Sequence, residues 1–492
     1  MFKHLDDQPK GLYSLFFTEL WERFGFYTVQ AILILYMTRG LGYSDKHSYL
    51  LYGTFNSLIY LTPVLGGYLA DRFLGFKRSI LFGGALLMIG YALMAIRSID
   101  AFFLGMAVIV VANGLFKPNV SSMVGDLYTR DDPKRDSGYT LFYMGINIGA
   151  MLPPIFIGWL VNAFGWNFGF LVASIGMGIG FVTFLTQQKR LANIGKPAAS
   201  SPLHFAKKRA LSYIIFFAGI LLFIAVLQFL FASPQETNYI LIASAVLILS
   251  AVFYYLVKEP LEQRRKLLAC LMLIVVSVGF WAIYVQMFTS AMLFADRNMS
   301  KSFLGFTIDA EFTQFFNPFF ILVLSPILSF AWVHLAHKHK NPSTPIKFAF
   351  GILFMSIGFF VLGAGTQFFS TQGMASAWWL VCSYFIMTVG ELFLSPIGLS
   401  MITRLAPKHL VGMMMGVWFL TQSAAFAIGS LLAIWADVPV GIAPNQSLPI
   451  YSRAFLGYGA VAFSLAIVAF LLAPYVNRLI HEPSGVNKPP TA

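Results

Sequence analysis

Residues 12–38 read LYSLFFTELWERFGFYTVQAILILYMT. At about 1.5 Å per residue a helix of this length crosses the roughly 30 Å hydrocarbon core of a bilayer. Yet the stretch carries Glu19, Glu22 and Arg23 near its middle. A charge in hydrocarbon costs roughly 2.5–3.5 kcal/mol even on the gentler insertion scales. The three side chains are therefore expected to face protein or a watery cavity. Lys117 and Glu391 lie in apolar stretches of the same kind. Three acids and two bases inside spans suggest a path for protons and for a charged solute.

The whole chain fits that reading. Its 492 residues are 58% hydrophobic and 11% charged, with a mean hydropathy of +0.74, whereas soluble domains carry about 25% charged residues. This is the composition of a polytopic membrane protein. The polar start, Lys3 to Lys10, leads into an apolar stretch too long for a signal-peptide core, so no cleaved leader is expected. Cys270 and Cys382 both fall in apolar segments; two cysteines make no metal set, and a disulfide is not expected. A net charge of +13 does not point to nucleic acid, because the bases sit in short loops on alternate sides of the spans.

Hydropathy over about 19 residues, punctuated by Gly, Pro and charge, predicts fourteen helices. They lie near 12–38, 48–70, 78–97, 101–124, 138–161, 166–187, 210–231, 237–257, 267–292, 310–335, 345–366, 375–402, 410–435 and 450–475. With the N-terminus inside, 25 Lys and Arg fall in inner loops against 6 in outer ones, with Arg23 and Lys117 in the membrane. The positive-inside rule then puts both termini in the cytoplasm. The segment 188–209 is polar and basic, with Pro197 and Pro202. The two helices after it have no Lys or Arg and read as lipid-facing additions.

Fourteen thus divides as six, two and six. The expected units are a six-helix bundle over 1–187, a linker with two inserted helices over 188–266, and a second six-helix bundle with a tail over 267–492. Numbering the core helices 1 to 12 without the insertion, two six-helix halves are the layout of major facilitator transporters. The loop between helices 2 and 3, Gly67-Tyr-Leu-Ala-Asp71-Arg72-Phe-Leu-Gly75-Phe-Lys77-Arg78, resembles that superfamily's loop, in which an acid and bases latch inner helix ends.

Spacing and depth gather the ionisable residues. Glu19, Glu22, Arg23 and Tyr27, at i, i+3, i+4 and i+8, form one helical stripe. Glu22 lies roughly 15 Å from the inner end of helix 1, Lys117 roughly 10 Å from that of helix 4, and Glu391 roughly 16 Å from that of helix 10. Asn147, Tyr60 and Trp418 fall in the same band, and transporter sites are expected near the midplane between repeats. Fully ionised, the buried set carries three negative and two positive charges. One carboxyl is then expected to take up a proton readily, and Glu22 or Glu19, sharing one base, is the natural candidate. None of the eight histidines lies deep in a span; His334, His337 and His339 sit at a helix end and are not expected to bind metal. Lys117 and Glu391 come from opposite halves, so a zwitterion could bridge them. Pro118 and Pro396, close after them, permit bends.

These residues resemble the motifs of the proton-dependent oligopeptide transporters of the major facilitator superfamily, along nearly the whole chain. Glu19-Leu-Trp-Glu22-Arg23-Phe24-Gly-Phe26-Tyr27 resembles that family's helix 1 signature, and Asn113-Gly-Leu-Phe-Lys117-Pro118-Asn119 its helix 4 motif. Phe142-Tyr143-Met-Gly-Ile-Asn147-Ile-Gly149 resembles its helix 5 motif, and Gly390-Glu391-Leu-Phe-Leu-Ser395-Pro396 its helix 10 motif. The inserted helices resemble the bacterial branch. The resemblance implies that Glu19, Glu22, Arg23 and Lys117 couple protons to transport. Lys117 would take a peptide carboxylate, while Glu391, Asn317 and Asn147, with Ser395 nearby, would hold its amino end and backbone. Tyr27, Tyr60, Trp281 and Trp418 would shape side-chain pockets.

There are departures. Phe26 stands where many members have Tyr, Gln30 where many have Arg, and the helix 7 run Phe280-Trp281-Ala-Ile-Tyr284-Val285-Gln286 lacks the acid many carry. Gly53 takes the place of a histidine found in animal members. The outer gate is expected to close by hydrogen bonding and packing, with Gln30 and Gln286 as candidates. The resemblance thus implies a proton-driven importer of di- and tripeptides in a bacterial inner membrane, a monomer needing no cofactor and no nucleic acid, with membrane lipid around it. The same fold carrying nitrate or an amino-acid conjugate is the alternative. No nucleophile–base or metal set points to an enzyme.

Overall fold

The computed structural model describes residues 8–129, 132, 134–191, 194–195, 206–368, 370–407 and 411–480. Among them are fourteen long α-helices and one short one. They are α1 (Lys10–Leu35), α2 (Asp45–Leu69), α3 (Phe76–Met94), α4 (Ile99–Asp126), α5 (Arg135–Phe164), α6 (Trp166–Thr186), α7 (Ala206–Ala232) and α8 (Pro234–Lys258). They continue as α9 (Leu261–Tyr284), the short α10 (Ser290–Asn298), α11 (Phe316–His337), α12 (Thr344–Phe368), α13 (Ala377–Leu405), α14 (Val411–Ala433) and α15 (Pro444–Ile480). Twelve described helices are long and apolar enough to cross a membrane. The long helices outside that set are α1, which carries Glu19, Glu22 and Arg23, and α2, interrupted by serine, asparagine and threonine.

Start signals are local. The Ser44, Ser98 and Ser376 side chains accept from the backbone N–H of His47, Ala101 and Trp378 and so cap α2, α4 and α13. Gly75 (φ 75°) turns the chain from a π-helical turn at 70–74 into α3, a left-handed conformation suited to glycine. The predicted helix over 267–292 breaks instead at 285–289. α10 and a two-stranded β-hairpin, Ser302–Phe303 with Phe306–Thr307, follow it.

The chain packs as two groups of six. α1 lies against α5 and α6, α3 against α4 and α6, and α2 against α4; α12 lies against α13 and α15, and α9 against α14 and α15. Small residues allow the close crossings. A Cβ at Gly149 would stand 2.3 Å from the Leu20 carbonyl, fixing α5 on α1, and one at Gly53 would stand 2.2 Å from Ser430 Cβ, fixing α2 on α14. Here glycine lets helices approach at backbone distance.

The groups meet where α2 packs on α14 and where α5 packs on α11 and the 310–315 turn. α7 and α8 lie outside this core and expose most of their apolar side chains. The tip of α8 is the exception, because Asn238 is fully buried. Its amide donates to the Leu50 carbonyl and Ser430 Oγ, and accepts from Thr54 Oγ1, so it touches α2 and α14 together. An even number of spans brings Lys10 and Ile480 to one face, called here the terminal face.

Candidate functional site

Charged side chains of α1 and α4 sit in the first half. Arg23 Nε and Nη2 bind Glu22 Oε2 and Oε1 at 2.5 and 2.7 Å, a bidentate pair. Glu19, one turn earlier, comes to 3.5 Å from Arg23 Nε. The second Glu19 oxygen is buried without a hydrogen-bond partner among the described residues. The stripe predicted for helix 1 is thus one ion cluster, in which two carboxylates share a guanidinium. Lys117 is half-buried, with Nζ 4.7 Å from the Tyr60 ring centre, a cation–π arrangement. Asn113, one turn before it on α4, has both amide atoms buried and unpaired among the described residues.

The second half supplies Glu391, which is 7% exposed. Asn317 Nδ2 donates to it at 2.8 Å and to Thr388 Oγ1 at 3.1 Å, while Tyr284 O–H donates to Asn317 Oδ1 at 3.2 Å. Between the halves lies a cavity of about 210 Å³. Of the candidates, Tyr27, Tyr60, Trp281, Glu391, Ser395 and Trp418 line it, together with Gln30. Asn317 stands behind Glu391, and Lys117 behind Tyr60. Asn147 donates to the Tyr143 carbonyl of its own helix at 2.9 Å. The Tyr60 and Phe426 rings stack 5.1 Å apart across the cavity, one from each half. Trp418 lies on Gly398, where a Cβ would come 2.3 Å from its ring.

Further lining residues, Tyr52, Asn56, Tyr284, Gln422 and Phe426, were not singled out from sequence. The signal was there: Tyr52, Asn56 and Tyr60, and likewise Trp418, Gln422 and Phe426, recur at i, i+4 and i+8.

Gln30 and Gln286 occupy separate networks. Gln30 Nε2 donates to Asn56 Oδ1 at 2.8 Å and its carbonyl accepts from the Tyr52 hydroxyl, both on α2. Gln286 Nε2 donates to the Gly429 carbonyl at 2.8 Å, tying the turn that follows α9 to α14. Ion pairs that sequence reading missed join the halves at the face opposite the termini. Arg297 binds Asp45 through two bonds of 2.6 and 2.7 Å, and Arg39 binds Asp296 at 3.1 Å. Ser57 Oγ also donates across to the Ser423 carbonyl at 2.8 Å. In the 67–78 loop, Asp71, Arg72 and Arg78 are exposed and Lys77 is half-buried. Desolvation pushes the Asp71 carboxyl up, opposed by Arg72 and reinforced by Asp126.

Two helical halves around a charged, aromatic-lined cavity define a membrane transporter of the major facilitator fold. The chain belongs to the POT family, whose profile matches residues 77–447. It is 34% identical to the dipeptide and tripeptide permease B of Salmonella typhimurium, over 97% of each chain. With the dipeptide and tripeptide permease A of Cronobacter turicensis it shares 36% identity, over 96% of this chain and 94% of that one. A crystal structure of a peptide transporter, POT, in complex with sulfate superposes with a TM-score of 0.83 at 34% identity, covering 96% of each chain. A mutant POT peptide transporter in complex with alafosfalin superposes equally well, with a TM-score of 0.83 at 35% identity.

Proposed function

We propose that this chain is a proton-coupled symporter that imports di- and tripeptides by alternating access. It would work as a monomer without a cofactor, in a bacterial inner membrane with both termini in the cytoplasm. One observation carries the reading: Glu391 of one half lines a cavity together with Tyr60 of the other, and Lys117 lies against the Tyr60 ring in the half that also holds the Glu22–Arg23 pair. The 25-to-6 distribution of basic residues supports the orientation, and the relatives' names support the cargo.

The chemistry follows from the pairing. A proton on Glu22, or on Glu19, removes one carboxylate from Arg23 and shifts the local field toward positive. A peptide carboxylate then joins Lys117 without leaving excess negative charge. The peptide ammonium joins Glu391, whose orientation Asn317 sets. Bound at both ends, the zwitterion pulls the halves together. When the terminal face opens, the carboxyl loses its proton to the cytoplasm, Arg23 is again shared by both carboxylates and the peptide leaves. The rings of Tyr60, Phe426 and Trp418 accept varied side chains by apolar contact, which needs no fixed hydrogen-bond partner.

Competition tests the cargo. Unlabelled dialanine in excess should suppress uptake of a labelled dipeptide into proteoliposomes, and equal nitrate should leave it unchanged. Suppression by nitrate and not by dialanine would assign another solute to the same fold.

A further inference from the structure

Glu311 is not among the residues that line the central cavity; it lies toward the face opposite the termini, and nothing in the transport cycle above uses it. It sits in the short 3-10 turn Ala310–Phe315 that leads into α11, and it is 3% exposed. The turn belongs to the second half and packs on α5 of the first half, so this carboxyl is buried between the halves. Gly158 of α5 makes the approach possible. A Cβ there would stand 3.0 Å from Glu311 Oε2 and 3.1 Å from Asp309 Oδ2.

The neighbours are mostly acidic. Asp309 precedes it on the same turn, Asp296 acts on it from α10, and Arg39 from the chain after α1. Arg39 is already bound by Asp296 at 3.1 Å, and Lys301 lies 3.7 Å from Asp309. From α5 the nearby polar group is Asn162, which donates to Asp309 Oδ2 at 3.2 Å. Arg297 of α10 is held by Asp45.

We propose that Glu311 is a second protonation site, one that closes the face opposite the termini when it holds a proton. With the halves together the carboxyl is out of water and beside two acids, so an ionised carboxylate is penalised there and a neutral one is not. Opening parts α5 from the turn and lets water reach the group. Protons therefore favour the closed form and their loss favours the open one, by linkage. The inference rests on the orientation given above in one respect: if this face is external, acid outside closes the gate behind an entering peptide, in the direction the gradient runs.

The test reads the gate itself and not uptake. Spin labels at Ile96→Cys and Val440→Cys, both exposed at this face on opposite halves, are placed in a Cys382→Ser background. The interlabel distance is measured in proteoliposomes between pH 5 and 8.5. The unsubstituted gate should move from short to long distance as pH rises. Glu311→Gln, which keeps the volume and cannot ionise, should hold the short distance at pH 8.5, with a closed population roughly tenfold higher there. Asp309→Asn should keep the titration. Equal titration with and without Glu311→Gln overturns the proposal, as does a distance independent of pH before substitution. A titration removed by Asp309→Asn but kept by Glu311→Gln overturns it too. Failure of peptide uptake would instead count against the symport reading alone, because the distance is read without cargo.

Discussion

At the residue scale, the proposed coupling depends on which side chains hold charge in a place that resists it. Glu22 and Arg23 are adjacent in sequence and bind through two bonds, so neutralising Glu22 changes Arg23's partner count directly. Glu22→Gln should abolish uptake driven by a pH difference while leaving dipeptide exchange at equal pH, measured as counterflow. Uptake by that variant with the original pH dependence would remove Glu22 from the coupling. Lys117→Ala should lose transport of peptides with a free carboxylate, by at least about tenfold for a lost charge-assisted bond of roughly 1.5–3 kcal/mol, read as the initial rate of uptake. A variant with a normal rate would take the carboxylate role from Lys117. These ionisable residues were legible in the sequence because charge inside an apolar span has few explanations. Asn317 behind Glu391 was legible only by resemblance. Gln422 and Phe426 were not picked out, since amides and rings are ordinary in a chain that is 16% aromatic.

At the element scale, hydropathy found all fourteen long helices, with ends off by up to about eight residues, because span length is imposed by the bilayer and not by tertiary packing. It did not resolve the break at 285–289, where an apolar run continues through a turn, nor α10 beyond it. Nor did it reveal the tip of α8. The inserted pair reads as lipid-facing, and most of it is. Asn238 nevertheless holds α2 and α14 with one buried amide. Asn238→Leu should cost about 1–3 kcal/mol by orphaning those partners, seen as a lower unfolding temperature in detergent. An unchanged temperature would make the insertion a passive neighbour. Glycine crossings were equally hidden, because a glycine in a membrane helix is common and only its neighbour says what it permits.

At the scale of the whole molecule the two halves are tied on the face opposite the termini, by Arg297 with Asp45 and Arg39 with Asp296. Sequence reading placed Arg297 and Arg39 in loops but could not pair them with acids about 250 residues away. Asp45→Asn weakens the first tie by about 1.5–3 kcal/mol and should favour opening on that face, so that a cysteine at Phe288, which lines the cavity, reacts faster with an impermeant maleimide. An unchanged rate would place the closing force in packing alone. In the proposed cycle, protonation of the α1 carboxyls and peptide capture at the cavity depend on each other. Uptake of a labelled dipeptide into proteoliposomes, with and without an inward proton gradient, tests it most directly. Concentrative uptake should appear with the gradient and collapse to equilibration when it is dissipated; accumulation that ignores the gradient would contradict the account.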